Sequence, residues 1–445
     1  MLLVVGIVAV LHTVNAFFPT RARLLLVPSF FASWLTIELA PWWLFWEVVV
    51  GAGLVAAGGL DESRGYVGLG LLVLAAAGLA SVIVRGRRTT LQVSEALGDL
   101  ELDPDDTAPP FPRSHVWFPF LMRHRVGVTT ERNIVFGEGT TRKGKVVRLR
   151  LDVVKPLEAR PGDARPGILQ IHGGAWILGD KREQGIPLLN HLAANGWVGI
   201  NANYRLSPKV GYPEHLVDCK RAIAWWREHA HEHGGDPDFL CVTGGSAGGH
   251  LTALVGLTAG DPRFQPGFED VDTSMRAVVP FYGVYDFTNR NGTWHKDTVK
   301  RFFEPIVMRR RLADDPDAFA AYSPLDRVRP DAPPFLVIHG SLDTLAPVAD
   351  AREFVRLLRD VSDAPVLYAE MAGAQHAFEV FPSYRTARVI EGAERFLHSI
   401  HRAYLLGRTD GEVSAGEAAG GLVEEPIDDG GTAATAQAGS QATTR

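Results

Sequence analysis

The sequence predicts an α/β protein: a mostly parallel central sheet with helices on both faces and a helical cap, preceded by transmembrane helices. Three observations predict it. Short apolar runs alternate with helix-like stretches from residue 128 onward, the pattern of a sheet covered on both sides. Two glycine-rich turns follow apolar runs directly. A strongly apolar block fills residues 1–84.

The apolar block comes first. Met1–Phe18 and Tyr66–Val84 contain no Asp, Glu, Lys or Arg. A helix crossing a bilayer core needs ~20 apolar residues. Leu24–Leu60 is interrupted by Glu38, Pro41 and Glu47, and Pro41 suits the first turn of a new helix. Trp42, Trp43 and Trp46 follow it, as at a membrane interface. The expectation is three crossings, near 1–18, 41–60 and 66–84, with 28–39 as an interfacial or re-entrant piece. Arg21 and Arg23 follow the first segment; Arg85, Arg87 and Arg88 follow the last. Three crossings place both clusters on one side, so the positive-inside rule puts the following domain in the cytoplasm. A cleaved signal peptide at 1–18 is the rival reading, but the segment lacks a basic start.

Residues 85–127 read as a linker, whose acidic and proline-rich stretch DLELDPDDTAPPFP should be extended. Trp117, Phe118, Phe120 and Leu121 close it, either over a site mouth, against a membrane, or in the core. The globular domain is expected over 128–404. A hairpin is expected over Asn133–Phe136 and Val146–Val153, then strands at Gly167–Ile171, Trp197–Asn201, Phe239–Thr243, Ala277–Phe281, Phe335–His339 and Val366–Glu370. Helical stretches separate them, at Pro187–Asn195, Leu216–Glu232, Ala247–Gly256, Val348–Leu358 and Tyr384–His401. Residues 286–332 break this rhythm and read as the cap. Residues 405–445 carry few large apolar side chains and read as a disordered tail.

Composition narrows the function. Over 445 residues the net charge is −6, which leaves no basic surface for nucleic acid. Two cysteines, Cys219 and Cys241, make no metal or disulfide framework. His229, His231 and His233 resemble a metal cluster, but they close a surface helix, and a metal role is not expected.

The chemistry concentrates in four places. Gly244-Gly245-Ser246-Ala247-Gly248-Gly249 lies between a strand and a helix. That is the context of a nucleophile elbow: a tight turn, glycines where side chains would clash, and a hydroxyl held at a helix N-terminus. Ile171-His172-Gly173-Gly174-Ala175-Trp176 follows an earlier strand. The amides of Gly174, Ala175 and Ala247, with Gly173 shaping the loop, are expected to form an oxyanion hole. A serine hydroxyl needs a base, and the base an orienting acid. Asp343 and His376 each follow a strand in loops near its carboxyl end, where open α/β sheets place their sites. His339 is the rival base and Asp286 the rival acid. Trp176 and Trp294 are candidates for the substrate pocket.

These residues resemble the hormone-sensitive-lipase-like and feruloyl-esterase-like carboxylesterases of the α/β-hydrolase superfamily, and the neighbouring kynurenine-formamidase-like hydrolases. The resemblance rests on HGGAW at 172–176, NYRLSP at 203–208, YPEHLVD at 212–218, GGDP at 234–237, GGSAGGHL at 244–251, HGSLDTLAP at 339–347 and QHAF at 375–378, in family order. Ala175 replaces the last glycine of the lipase-like HGGG, and Gly245 replaces the acid of GDSAGG. Both departures lean toward the feruloyl-esterase and formamidase side. The resemblance implies an α/β-hydrolase fold and a serine hydrolase without cofactor. The expected partners are a small ester or lipid substrate and, from the apolar N-terminal block, a membrane. Amide or formamide hydrolysis by the same triad is the alternative; a ligand-binding pseudo-enzyme is the reading from another class.

Overall fold

The computed structural model describes residues 1–98, 100, 109–119, 125–294 and 296–420. It divides into two compact units, Met1–His401 and Arg402–Arg445.

The first unit begins with four helices: α1 (Leu2–Phe17), α2 (Leu26–Glu38), α3 (Ala40–Ala56) and α4 (Ser63–Arg87). Small residues let α1 and α4 approach closely. A side chain on Gly68 would strike the Leu2 carbonyl carbon at 2.5 Å, and one on Gly78 would meet Thr13 at 2.3 Å. At the other end the Arg85 guanidinium sits 4.6 Å over the Phe17 ring. The two helices therefore run parallel. Between them in sequence, α3 runs the other way: Ala40 joins Ala16 and Val82 in one cluster, while Gly51 faces Leu72. By length and apolarity one helix, 63–96, is long enough to cross a membrane. The pair α2–α3 makes a second if its 87° bend lies within one span. At 16 residues, α1 is shorter than the ~20 a full crossing needs, so the sequence expectation of three full-length spans is not met helix by helix. Val8, Leu11, Phe45, Val48, Val73 and Leu74 remain exposed on the outer faces.

The expected linker is partly helical. Arg85–Arg87 complete α4. Helix α5 (Thr89–Ala96) then packs on the catalytic domain, with Val93 and Leu97 against Gly392. Those side chains, four residues apart, share the face that packs there, with Leu97 buried. A short α6 (Arg113–Trp117) follows. Trp117 and Phe118 are exposed. Phe120 and Leu121, and most of the acidic stretch, lie outside the described residues.

The catalytic domain is built on eight strands: β1 (Val128–Thr140), β2 (Val146–Pro156), β3 (Arg165–Ile171), β4 (Val198–Ala202), β5 (Gly235–Gly245), β6 (Val278–Phe281), β7 (Phe335–Gly340) and β8 (Val366–Met371). Their spatial order is β1-β2-β4-β3-β5-β6-β7-β8. Only β1–β2 and β2–β4 pair antiparallel; the remaining neighbours are parallel. Central strands such as β4 and β6 are buried throughout, as a sheet covered on both faces requires. The covering helices are α7 (Ile186–Ala194), α8 (Glu214–His229), α9 (Ala247–Leu257), α12 (Val348–Val361) and the start of α13 (Tyr384–Gly420). This is the α/β-hydrolase fold. Between β6 and β7, α10 (Lys296–Thr298) leads into a π-helical stretch, Val299–Met308, and α11 (Pro316–Ala321) follows. Pro305 lies inside the π-helical stretch, where it lacks the N–H an α-helix would use. In the second unit the chain is helical to Gly420; Leu, Ala and Glu there favour helix. Residues 421–445 lie outside the described residues.

Candidate active site

Strand β5 runs straight into Ser246 and α9 begins at Ala247. Ser246 has φ 60° and ψ −120°, a conformation strained for any residue with a side chain. Its backbone is held on both sides. The Ser246 amide donates to Phe281 O at 3.0 Å, and Ser246 O accepts from the His250 amide at 2.9 Å. Gly248 must be glycine, because a Cβ there would lie 2.1 Å from Ile171 O. Ser246 is half-buried and so reachable.

His376 Nδ1 and Asp343 Oδ2 are 2.7 Å apart. The other carboxylate oxygen, Oδ1, accepts from the amides of Leu345 (2.8 Å) and Ala346 (2.7 Å). Burial disfavours the charged form, but His376 beside it and hydrogen bonding to His339 and His376 outweigh that. They hold Asp343 well below the usual carboxylate range. His339 Nε2 lies 3.3 Å from Asp343 Oδ2 and 3.2 Å from Ala346 O. It thus braces the acid from behind rather than facing the serine loop. Asp286 is consumed by its own turn, accepting from the Thr288 amide at 2.8 Å and the Arg290 amide at 2.7 Å.

Two residues that sequence reasoning did not single out tie the parts together. The Tyr282 ring lies 4.5 Å from the His376 ring. It also fills the space where a Gly245 side chain would be, 2.6 Å from the ideal Cβ position. Its hydroxyl donates to Glu379. Burial pushes the Glu379 carboxyl up to about 7, against that hydrogen bond. Gln375 Oε1 accepts from the amides of Thr344 (2.8 Å) and His376 (2.9 Å), stitching the acid loop to the base loop. Only its place beside His376 could have drawn attention to Gln375; Tyr282 left no signal.

In the other loop, Gly174, Ala175 and Trp176 have φ of 109°, 53° and 61°. A Cβ on Gly174 would lie 2.0 Å from Leu178 O. Successive N–H groups in such turns face a common concavity. The Gly173 amide is already used, donating to Gln184 Oε1 at 2.6 Å. Among the described residues, no protein acceptor faces the amides of Gly174, Ala175 and Ala247. Gly173 touches the nucleophile turn: a Cβ there would come within 3.1 Å of Ser246 Cβ.

Trp176 is packed rather than open. Only 2% exposed, it lies edge-on to His250, Phe287 and Phe303, and joins the loop to the cap. Trp294 is half-buried in the cap, 5.1 Å from Phe303. His229 pairs with Glu232 and His233 with Glu131, each at 2.9 Å. Among the described residues no group of three His, Cys, Asp or Glu could hold a metal.

Comparisons with known proteins place the chain among esterases. The BD-FAE family model matches residues 151–358. Esterase LipC of Mycobacterium tuberculosis is 39% identical over 329 residues, 73% of this chain and 79% of LipC. The probable carboxylic ester hydrolase LipM and esterase LipQ of that organism are 47% and 45% identical over 56% of this chain. Those matches span 58% and 59% of LipM and LipQ. A solved thermophilic esterase from Thermogutta terrifontis, the butyrate-bound Est2, superposes with a TM-score of 0.51 at 25% identity. It covers 62% of this chain and 95% of its own. Fold and site define an α/β-hydrolase. The chain belongs to the hormone-sensitive-lipase-like esterase family of that superfamily, the family of LipC.

Proposed function

We propose that the chain is a serine carboxylic ester hydrolase acting on apolar or lipid-like esters at a membrane. The observation that carries the chemistry is the 2.7 Å His376–Asp343 pair, linked to the turn of the strained, half-buried Ser246 through Tyr282, which touches both the His376 ring and Gly245. The named esterase relatives support the same reaction class.

His376 Nε2 takes the Ser246 proton as Oγ attacks the ester carbonyl. Asp343 accepts from Nδ1–H, fixing the tautomer and stabilising the imidazolium. The new oxyanion rests on the amides of Gly174, Ala175 and Ala247. The C–O bond to the alcohol breaks as His376 gives that oxygen its proton. Water then attacks the acyl-serine by the same route, releasing the acid and restoring Ser246.

The helices α1, α3 and α4 form the membrane module in this reading. Supporting it, the parallel α1 and α4 with a reversed α3 fit three passes, the two outer ones in the same direction. Arg21 and Arg23 then share an end with Arg85, Arg87 and Arg88, and the positive-inside rule favours a cytoplasmic catalytic domain. Such a location concentrates lipid-soluble esters near the site.

Ser246→Ala is expected to abolish fluorophosphonate labelling and hydrolysis of p-nitrophenyl esters. Labelling that persists in this variant would remove Ser246 from the mechanism. Longer acyl chains should be preferred; faster turnover of N-formyl substrates would overturn the ester assignment.

A further inference from the structure

The first helices do more than sit beside the catalytic domain. Helix α2 crosses the loops that carry His376 and Asp343. The Trp34 indole N–H donates to Ala377 O at 2.9 Å, one residue past the base. Ala377 has φ 61°, a left-handed conformation that a non-glycine residue keeps only when its surroundings enforce it. The Trp34 ring stacks on Phe381, 4.8 Å away and 28° from parallel, beyond the same turn. One turn earlier in α2, the Phe30 ring stands edge-on to the His376 ring at 6.2 Å. Phe30 itself is only 6% exposed. Ser33 Oγ lies 3.5 Å from Gln375 Nε2. The acid loop is held from the same side. Arg21 Nη2 donates to Asp343 O at 2.9 Å, and Leu342 packs into the cluster of Ala16, Ile37, Ala40, Leu79 and Val82. At the far end of α2, Glu38 is ion-paired with Arg385 and accepts from the Ser383 hydroxyl at 2.7 Å.

Spacing explains how one short helix does this. Phe30, Ser33, Trp34 and Ile37 fall on one face, while Val27 at the start of the helix and Phe31 are exposed. The polar atoms on the inner face meet backbone and side-chain groups of residues 375–377 rather than generic surface. All of these α2 residues lie outside the segment 151–358 matched by the family model.

We propose that α2 is a positioning element of the catalytic centre. Trp34 fixes the His376 loop through the Ala377 carbonyl, and Phe30 covers the imidazole against water. This role rests on the reading of Ser246, His376 and Asp343 as a hydrolase triad. The N-terminal module is then a part of the active site as well as an anchor, and turnover depends on how α2 is seated.

The test uses the full chain in detergent micelles or lipid nanodiscs. Reactive serines are counted by end-point fluorophosphonate titration, and p-nitrophenyl butyrate turnover is expressed per titrated serine. Trp34→Phe keeps the stack on Phe381 and removes only the donor; Phe30→Ala removes the cover and Phe30→Leu keeps an apolar one. Trp34→Phe and Phe30→Ala are expected to lower kcat per titrated serine about 10-fold with KM within about 2-fold, since small misplacements of a catalytic group suffice for such losses. Phe30→Leu should recover most of the Phe30→Ala loss, and Val27→Ala, at an exposed position near the start of the helix, should match the parent chain. A purely structural role would reduce the number of titrated serines and leave the rate of each unchanged; that outcome overturns the proposal. If Phe30→Ala does not fold, the near-isosteric Trp34→Phe decides alone. A parent chain that neither labels at Ser246 nor cleaves the ester refutes the hydrolase reading itself, a different failure from unchanged per-site rates.

Discussion

Replacing Asp343 by Asn changes one atom and tests the proposed acid more sharply than deleting it. Asp343 Oδ1 accepts from two amides, Leu345 at 2.8 Å and Ala346 at 2.7 Å. An Asn side chain can satisfy both only by keeping its carbonyl oxygen in that place. Its NH2 group then occupies the Oδ2 position, 2.7 Å from His376 Nδ1. Two donors cannot share that line, so His376 must leave Nδ1 unprotonated and carry its proton on Nε2. In that tautomer it cannot take a proton from Ser246. The opposite flip would put NH2 against two buried N–H groups, which is worse, since each unmet donor costs ~1–3 kcal/mol. The wrong tautomer in a serine triad costs roughly 10⁴-fold in kcat. That corresponds to about 5 kcal/mol of transition-state stabilisation. The assay is p-nitrophenyl butyrate hydrolysis at pH 7.5 per mole of folded protein, with Asp286→Asn beside it. Asp286 is bonded within its own turn, so its variant should keep kcat within about 10-fold of the parent once folding is matched. A less than tenfold loss for Asp343→Asn, or a larger loss for Asp286→Asn at equal folding, would refute the assignment.

Two further outcomes follow from the same geometry. Glu379 has its carboxyl raised by burial from 4.5 to about 7, so the folded chain holds a proton that the unfolded chain has released between those values. Its favourable contribution is complete below about pH 4.5 and is lost as pH rises to about 7. Glu379→Gln should therefore flatten the fall in denaturation midpoint across that window and stabilise the protein at pH 8, by at most roughly 3 kcal/mol. An unchanged pH–stability curve would argue against a buried protonated Glu379. For topology, both native cysteines are buried and their thiols pushed up by burial, so they leave a quiet background for thiol reagents. In sealed right-side-out vesicles, Asp61→Cys in the turn before α4 should react with an impermeant maleimide and Arg88→Cys should not; the reverse pattern would invert the proposed orientation.

Much of the fold was legible because its signals are local. Runs such as Phe335–His339 and Val366–Glu370 are short, apolar and followed by turn residues, and β7 and β8 occupy almost the same positions. The residues of the candidate site were legible for a related reason. Glycines 173, 174, 244 and 248 are demanded by close backbone approach, so they mark their turns whatever the distant sequence. Tyr282 was invisible because its value comes from two contacts that no spacing announces, the Gly245 backbone and the His376 ring. Helix α5 inside the linker was not legible, because the contact that holds it lies far away in sequence. Val93 and Leu97 make one buried contact with Gly392, and one such face outweighs an acidic, proline-rich neighbourhood. Trp176, a candidate for the substrate pocket, has φ 61° and lies in the aromatic packing beneath the cap, contacts that its place in the chain does not announce.

The hardest feature to read was the dependence of the site on residues before 128. Sequence patterns separate a membrane block from a soluble domain because hydropathy changes abruptly, and that change suggests a tether. The contacts oppose so clean a division. Helix α2 meets α3 at an 87° bend, and α3 continues into the apolar module. On the other side α2 bonds to residues flanking His376 and to the carbonyl of Asp343. Cutting the chain at 128 would remove the donor to Ala377 O, strip Phe30 from the imidazole and leave Arg385 without its carboxylate, though every residue of the proposed triad would remain. A buried ion pair that loses one partner typically costs ~3–5 kcal/mol, enough to disturb a domain whose total stability is only ~5–15 kcal/mol. The unit that these contacts hold together therefore begins near Arg21, and the family-model segment 151–358 divides it.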